Sequence, residues 1–217
     1  MRQSCRLLCL LVIAAASSPA WSQTLSGRLT DDMLIDAASS PWKITGDVIV
    51  PADVTLTIEA GAVLEFSKGV SLSVAGGRLS AEGTPERRIQ MIAEADKWKG
   101  LRFMNSPTDN LLRCIDMIDG DGDAHIIFID RSRVLVHGCT WNPTNKTIIE
   151  AGHPSAVVEN CLFPKVTEAE VIHGLYLAND EYLILRGNTF GATIGYNDVI
   201  DFSDCKRPGP ILQIYDN

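Results

Sequence analysis

The chain has 217 residues, with 19 Lys and Arg against 27 Asp and Glu and a formal net charge of −8 at pH 7. That acidic balance argues against a nucleic-acid partner, which needs a concentrated basic surface, and against an anionic glycan unless a cation bridges it. At 46% hydrophobic residues the chain is too apolar for disorder and long enough to bury one substantial core.

Residues 1–22 read as a secretory signal peptide: Arg2 and Arg6, an apolar run from Leu7 to Ala16, then small residues ending in Ala20-Trp21-Ser22. The apolar run is too short to span a bilayer, and no later run is long enough. The expectation is an exported product, secreted or periplasmic, with no transmembrane anchor. Without Arg2 and Arg6, 17 basic residues face 27 acidic ones, a net charge near −10. Residues 23–41 are expected to form an N-terminal cap segment. Within them Thr30 to Ala38, TDDMLIDAA, predicts a short amphipathic helix, with a Thr cap, early acids and apolar Met33, Leu34 and Ala37.

From residue 42 onward the signal is strand. Asp47 to Val50, Leu56 to Gly61, Ala62 to Phe66, Leu72 to Gly77, Leu79 to Gly83, Ile89 to Ile92, Gly100 to Phe103 and His125 to Ile129 are short apolar runs, several closed by Gly. Such runs mark strands that turn tightly. The second half repeats a hexapeptide: VHGCTW at Val136 to Trp141, VENCLF at Val158 to Phe163 and LRGNTF at Leu185 to Phe190. Aligned on Cys or Asn, the residues Cys139, Cys161, Asn188 and Asn217 are 22, 27 and 29 residues apart. Leu111 to Cys114 reads as a further copy, with Cys114 lying 25 residues before Cys139.

Short strands and a loose period in the twenties predict a solenoid whose coils advance about 4.8 Å each, so that equivalent residues stack on their own copies. Val136, Val158 and Leu185 are expected to form an aliphatic column, and Trp141, Phe163 and Phe190 an aromatic one. Asn188 and Asn217 are expected to bond the backbone of the next coil. An even count of cysteines after the leader, Cys114, Cys139, Cys161 and Cys205, admits disulfides in an exported chain. Cys139 and Cys161 share one repeating slot, however, and are expected to be free, buried thiols.

These features resemble the right-handed parallel β-helix family, the pectin-lyase-like fold. The resemblance rests on GDVIVPADVTLTIEAGAVLEF, on WKGLRF at Trp98 to Phe103 and on the three hexapeptides, which together cover most of residues 42–217. It implies an all-β, right-handed parallel β-helix domain over residues 42–217. ILQIYDN at the C-terminus stops on a strand and a turn Asn, so the chain is expected to be a fragment with further coils beyond Asn217.

Three groups could carry chemistry. Asp119, Asp121 and Asp123 alternate with Gly, a pattern that can converge on Ca²⁺, although the EF-hand spacing is not completed. The alternative reading is a solvated Asp/Gly turn. Asp198, Asp201 and Asp204 lie in NDVIDFSD, where a strand would send Asp201 outward and Ile200 and Phe202 inward. The resemblance implies that outer-wall carboxylates of this kind serve its glycan-cleaving members as acid and base; the alternative reading is ordinary surface charge. Arg131 and Arg133 lie close in sequence to the Asp119 loop, and the resemblance to pectate-lyase-like enzymes implies a Ca²⁺ site beside an Arg or Lys base. Of the motifs of polygalacturonase-like members, Asn-Thr-Asp, Gly-His-Gly and Arg-x-Lys do not occur, and the one Asp-Asp pair, Asp31-Asp32, lies in the N-terminal cap segment. The expected function is an exported, non-catalytic scaffold for polysaccharide or cell-surface glycan binding. The alternative is a polysaccharide lyase or glycoside hydrolase, with Ca²⁺ as the one cofactor suggested.

Overall fold

The computed structural model describes residues 23–195, 198–206 and 209–217. The leader expected over residues 1–22 lies outside the described residues. Among them there is no helix, and parallel strands wind into a β-solenoid of about 7 turns. The strand pairings are all parallel.

Each coil lays one strand on each of three faces. The first face holds the start of β3 (Trp42–Pro51), then β5 (Val63–Phe66), β8 (Ile89–Ala93), β11 (Ile115–Ile118), β14 (Thr140–Trp141), β17 (Leu162–Phe163) and β21 (Thr189–Phe190). The second holds the end of β3, then β6 (Ser71–Ala75), β9 (Gly100–Met104), β12 (His125–Asp130), β15 (Thr147–Gly152), β19 (Ile172–Leu175) and β23 (Ile200–Ser203). The third is a separate sheet of β2 (Met33–Ile35), β4 (Thr55–Ile58), β7 (Arg78–Glu82), β10 (Asp109–Arg113), β13 (Arg133–His137), β16 (Ser155–Glu159), β20 (Tyr182–Arg186) and β24 (Ile211–Tyr215). At one end β1 (Thr24–Arg28) pairs with β3, and β18 (Val166–Thr167) pairs with β22 (Thr193–Ile194) beside the last coils.

Stacking like on like organises the core. Leu112, Val136, Val158 and Leu185 pair in register and are fully buried. On the first face Trp42, Leu64, Met91, Met117 and Trp141 follow one another in register, and Phe163 and Phe190 continue the column. Trp141 stacks on Phe163 at 4.8 Å between ring centroids, and Phe163 on Phe190 at 4.9 Å, both with planes 5° apart. That separation is the coil spacing itself, so the rings touch face to face without departing from the backbone repeat.

The Cys/Asn slot has a common job. Cys139 Sγ donates to Leu112 O at 3.6 Å, Cys161 Sγ to Val136 O at 3.7 Å, Asn188 Nδ2 to Val158 O at 2.9 Å and Asn217 Nδ2 to Leu185 O at 3.1 Å. Each donor therefore reaches back to the preceding coil, not forward as expected. The amides also accept: Cys161 N donates to Asn188 Oδ1 at 3.0 Å, and Asn188 N to Asn217 Oδ1 at 3.0 Å. Cys114, Cys139 and Cys161 are free and buried, and Cys205 is free and exposed. Burial pushes the Cys139 thiol well above its ordinary pKa.

Two further sequence expectations need correction. Met33–Ile35 is strand β2 and not part of a helix. It pairs Met33 with Leu56 and Ile35 with Ile58, and Ile35 is fully buried in the core. The open edge of β4 offers a ladder of backbone partners that a short helix could not use, so tertiary pairing overrides the local signal. The acids meanwhile cap turns and neighbouring strands: Asp32 Oδ1 accepts from Thr55 N at 2.7 Å and Asp36 Oδ1 from Ser39 N at 2.7 Å. Second, Cys114 does not share the slot of Cys139. Leu112 pairs with Val136 and Met117 with Trp141, which sets Cys114 opposite Gly138. Cys114, Gly138, Asn160, Gly187 and Asp216 all have positive φ, and the first four each donate their N–H to a carbonyl one coil on. Cys114 thus occupies the left-handed corner that Gly and Asn fill elsewhere.

Candidate functional site

The outer surface of the second face carries a line of polar side chains interrupted once by Phe128. Arg102, Phe128, Glu150, His173 and Asp201 stand in register on successive coils. Each follows an inward Leu or Ile, so the alternation of the strand turns it to the solvent side. His125 Nδ1 lies 3.1 Å from Glu150 Oε2, and His173 Nδ1 lies 3.6 Å from the same oxygen. On its other side His173 Nε2 is 3.4 Å from Asp201 Oδ2 and 3.2 Å from Ser203 Oγ. Ser203 Oγ donates to Asp201 Oδ2 at 2.9 Å. Two imidazoles and two carboxylates therefore alternate along four successive coils.

The line is anchored at one end. Arg102 Nη1 donates to His125 O at 3.0 Å and Nη2 to Asp123 Oδ2 at 3.1 Å, and the His125 ring stacks against Phe128 at 5.5 Å. Burial holds the His125 imidazole below its ordinary pKa; Glu150 opposes that shift, and Arg102 reinforces it. Side-chain exposure is 17% at Glu150 and 20% at His173, rising to 37% at Asp201. The middle of the line is therefore shielded enough to strengthen its hydrogen bonds, while its outer edges still face water.

The Asp119 loop does something else. Asp121 is buried, with both carboxylate oxygens 2.6 Å from Lys97 Nζ and Oδ2 accepting from Thr144 Oγ1 at 2.7 Å. Burial alone would raise its pKa, but the Lys97 and Thr144 hydrogen bonds outweigh it and hold the carboxyl below the usual range. Asp119 Oδ1 accepts from Asn142 Nδ2 at 2.9 Å, and Asp123 pairs with Arg102. Gly122 is required because a Cβ there would lie 2.7 Å from Trp98 O, so the loop closes over Trp98, whose ring stacks on Phe66 at 4.0 Å. The three carboxylates face three different partners. Among the described residues no group of three or more His, Cys, Asp or Glu lies close enough to hold a metal ion. The loop does not fit Ca²⁺.

The other candidates separate. Asp201 and Ser203 point outward and Phe202 packs against the core, as the alternation predicts. Asp198 and Asp204 are exposed in the segments flanking β23 and do not join Asp201. Arg131 sits at positive φ on the corner after β12, paired with Asp130 at 2.8 Å. The extended strand β12 spans about 17 Å between that corner and the Asp119 loop, so nearness in sequence does not become nearness in space.

His125, Glu150 and His173 were not singled out from the sequence, where the histidines look scattered. Each of the chain's four histidines in fact meets a carboxylate one coil away; His137 meets Glu159 at 2.9 Å and His153 meets Glu181 at 3.0 Å. The available signal was the recurrence Ile127-Phe128, Ile149-Glu150, Ile172-His173 and Ile200-Asp201: an inward Ile followed by a variable outward residue. Comparison with protein-family models, with characterised proteins and with solved structures returns no match.

Proposed function

We propose that this chain is an exported β-solenoid module of the right-handed, pectin-lyase-like type, and that its polar line on the second face binds a polysaccharide or cell-surface glycan without transforming it. The observation that carries this reading is the unbroken row of His125, Glu150, His173, Asp201 and Ser203 on the outer wall. Imidazole, carboxylate and hydroxyl groups supply both donors and acceptors, the complement a sugar hydroxyl needs. They recur at a regular step, which suits a ligand that is itself a repeating chain. The flanking Phe128 ring adds an apolar surface beside them. Affinity electrophoresis against a panel of neutral polysaccharides tests the proposal. The protein should be retarded in at least one gel, and the Glu150→Gln, His173→Ala double variant should migrate freely in it. Unretarded migration across the panel, or equal retardation of the variant, would remove the reading.

One feature favours a second reading, a glycoside hydrolase. Glu150 and Asp201 flank His173 from coils two apart and contact opposite nitrogens of its ring, which holds their carboxyl oxygens no more than about 9 Å apart, within the span that inverting hydrolases use for their acid and base. Release of reducing sugar by the wild type and not by Glu150→Gln would establish it; a glycan that binds and stays intact would rule it out.

A further inference from the structure

The third face presents a surface of a different kind. Leu111, Leu135, Val157 and Ile184 pair in register on β10, β13, β16 and β20. They alternate with the buried Leu112, Val136, Val158 and Leu185, so they project outward and stay partly exposed. The apolar row ends at Ser80 on one side and Gln213 on the other. Alongside it runs a shallow groove of about 220 Å³, bordered by Asp109, Arg133 and Tyr182. Both margins are charged. On one, Asp109 pairs with Arg133 at 2.8 Å; on the other, Arg113 pairs with Glu82 at 3.3 Å and His137 with Glu159 at 2.9 Å. An aliphatic centre with a polar rim is the anatomy of a protein interface.

We propose that this face binds a second copy of the chain, the two solenoids lying side by side and pointing the same way about a two-fold axis parallel to their length. Such an axis brings one margin of the face against the opposite margin of the other copy at the same coil. Asp109 then meets Arg113 of the partner subunit, and Tyr182 meets Arg186 of the partner subunit, each contact made twice. Arg133 meets His137 of the partner subunit and Ser155 meets Glu159 of the partner subunit, so with formal charges at pH 7 no row opposes two like charges. The antiparallel alternative sets Arg113 against Arg186 of the partner subunit, a repulsion also made twice. Eight strands at about 4.8 Å, most of them five residues and so about 13 Å long, give a flat footprint of roughly 440 Å². That is below the roughly 800 Å² per partner of a standard interface, in keeping with a weak, reversible dimer.

Sedimentation equilibrium across the micromolar range, with circular dichroism to verify folding, tests the pairing. The wild type should be a reversible dimer. Leu135→Glu and, independently, Ile184→Lys should each raise the dissociation constant about 100-fold or more, because each sets a charge in the apolar centre. Orientation is read in a Cys205→Ser background by mixing an Asp109→Cys protein with an Arg113→Cys protein and adding a bismaleimide cross-linker that spans about 10 Å, the spacing of stacked sheets. A cross-linked heterodimer is expected there and not from Arg113→Cys mixed with Arg186→Cys. A wild type that stays monomeric, a dimer that survives both substitutions, or cross-linking only in the second mixture overturns the proposal.

Discussion

Asn188 is the most informative single side chain to remove. It is buried and makes three hydrogen bonds: it donates to Val158 O at 2.9 Å and to Asn217 Oδ1 at 2.9 Å, and it accepts from Cys161 N at 3.0 Å. In Asn188→Ala the buried Cys161 N–H loses its acceptor, at about 1–3 kcal/mol, and the two lost donations add about 1 kcal/mol. A total of roughly 2–4 kcal/mol corresponds to a melting temperature lower by roughly 4–16 °C for a chain of this size. Asn188→Cys should cost about half as much, because a thiol in this slot still reaches the carbonyl behind it, as Cys161 does. Thermal melts followed by circular dichroism give the global effect. Hydrogen exchange at the Cys161 amide gives the local one, with exchange about 30-fold faster in Asn188→Ala. If the Ala variant melts within about 2 °C of wild type with that amide still protected, or if Cys is no better than Ala, the account of the slot fails.

Phe163→Ala removes the middle ring of the aromatic column and should cost about 3–5 kcal/mol in chemical denaturation. Gly122→Ala forces the loop off Trp98 and should cost about 1–3 kcal/mol, with a shifted Trp fluorescence maximum reporting the opened cover. Asp121→Asn should cost about 1.5–3 kcal/mol at neutral pH by breaking the charged contact with Lys97. Because folding depresses the Asp121 pKa, its contribution is complete above the unfolded carboxylate value, near 3.9, and is lost as pH falls through the folded value. Wild-type and Asp121→Asn melting temperatures should accordingly converge at the acid end of a pH series, and a constant gap down to that end would contradict the assignment.

The coils were legible because the hexapeptide marks a place where chemistry repeats: the aliphatic Val136, Val158 and Leu185, the slot at Cys139, Cys161 and Asn188, and the rings of Trp141, Phe163 and Phe190 all lie in the predicted columns. Copies whose residues depart from the pattern were harder to place. Cys114 looked like a slot residue because its neighbours are Leu-Leu-Arg, yet strand pairing offsets it by one and gives it a corner that elsewhere needs Gly or Asn. Met33–Ile35 looked helical because its acids suit a helix start, and only the edge of β4, which local sequence does not display, makes it a strand. The polar line was hidden for a related reason. Its members are separated by turns of unequal length, so Glu150 and His173 become neighbours only once the coil register is known. A row of acids close in sequence, such as Asp119, Asp121 and Asp123, was conspicuous and proved to serve three separate partners.

Parallel pairing between successive coils has a mechanical corollary. Each coil is bonded chiefly to the one before and the one after, with Val136 set over Val158 and Val158 over Leu185. A pull on the C-terminal strand would therefore peel the chain one winding at a time, starting from β24. Each release should free the 22 to 31 residues that separate stacked positions, giving a sawtooth trace in single-molecule stretching with steps of roughly 70–110 Å of contour length.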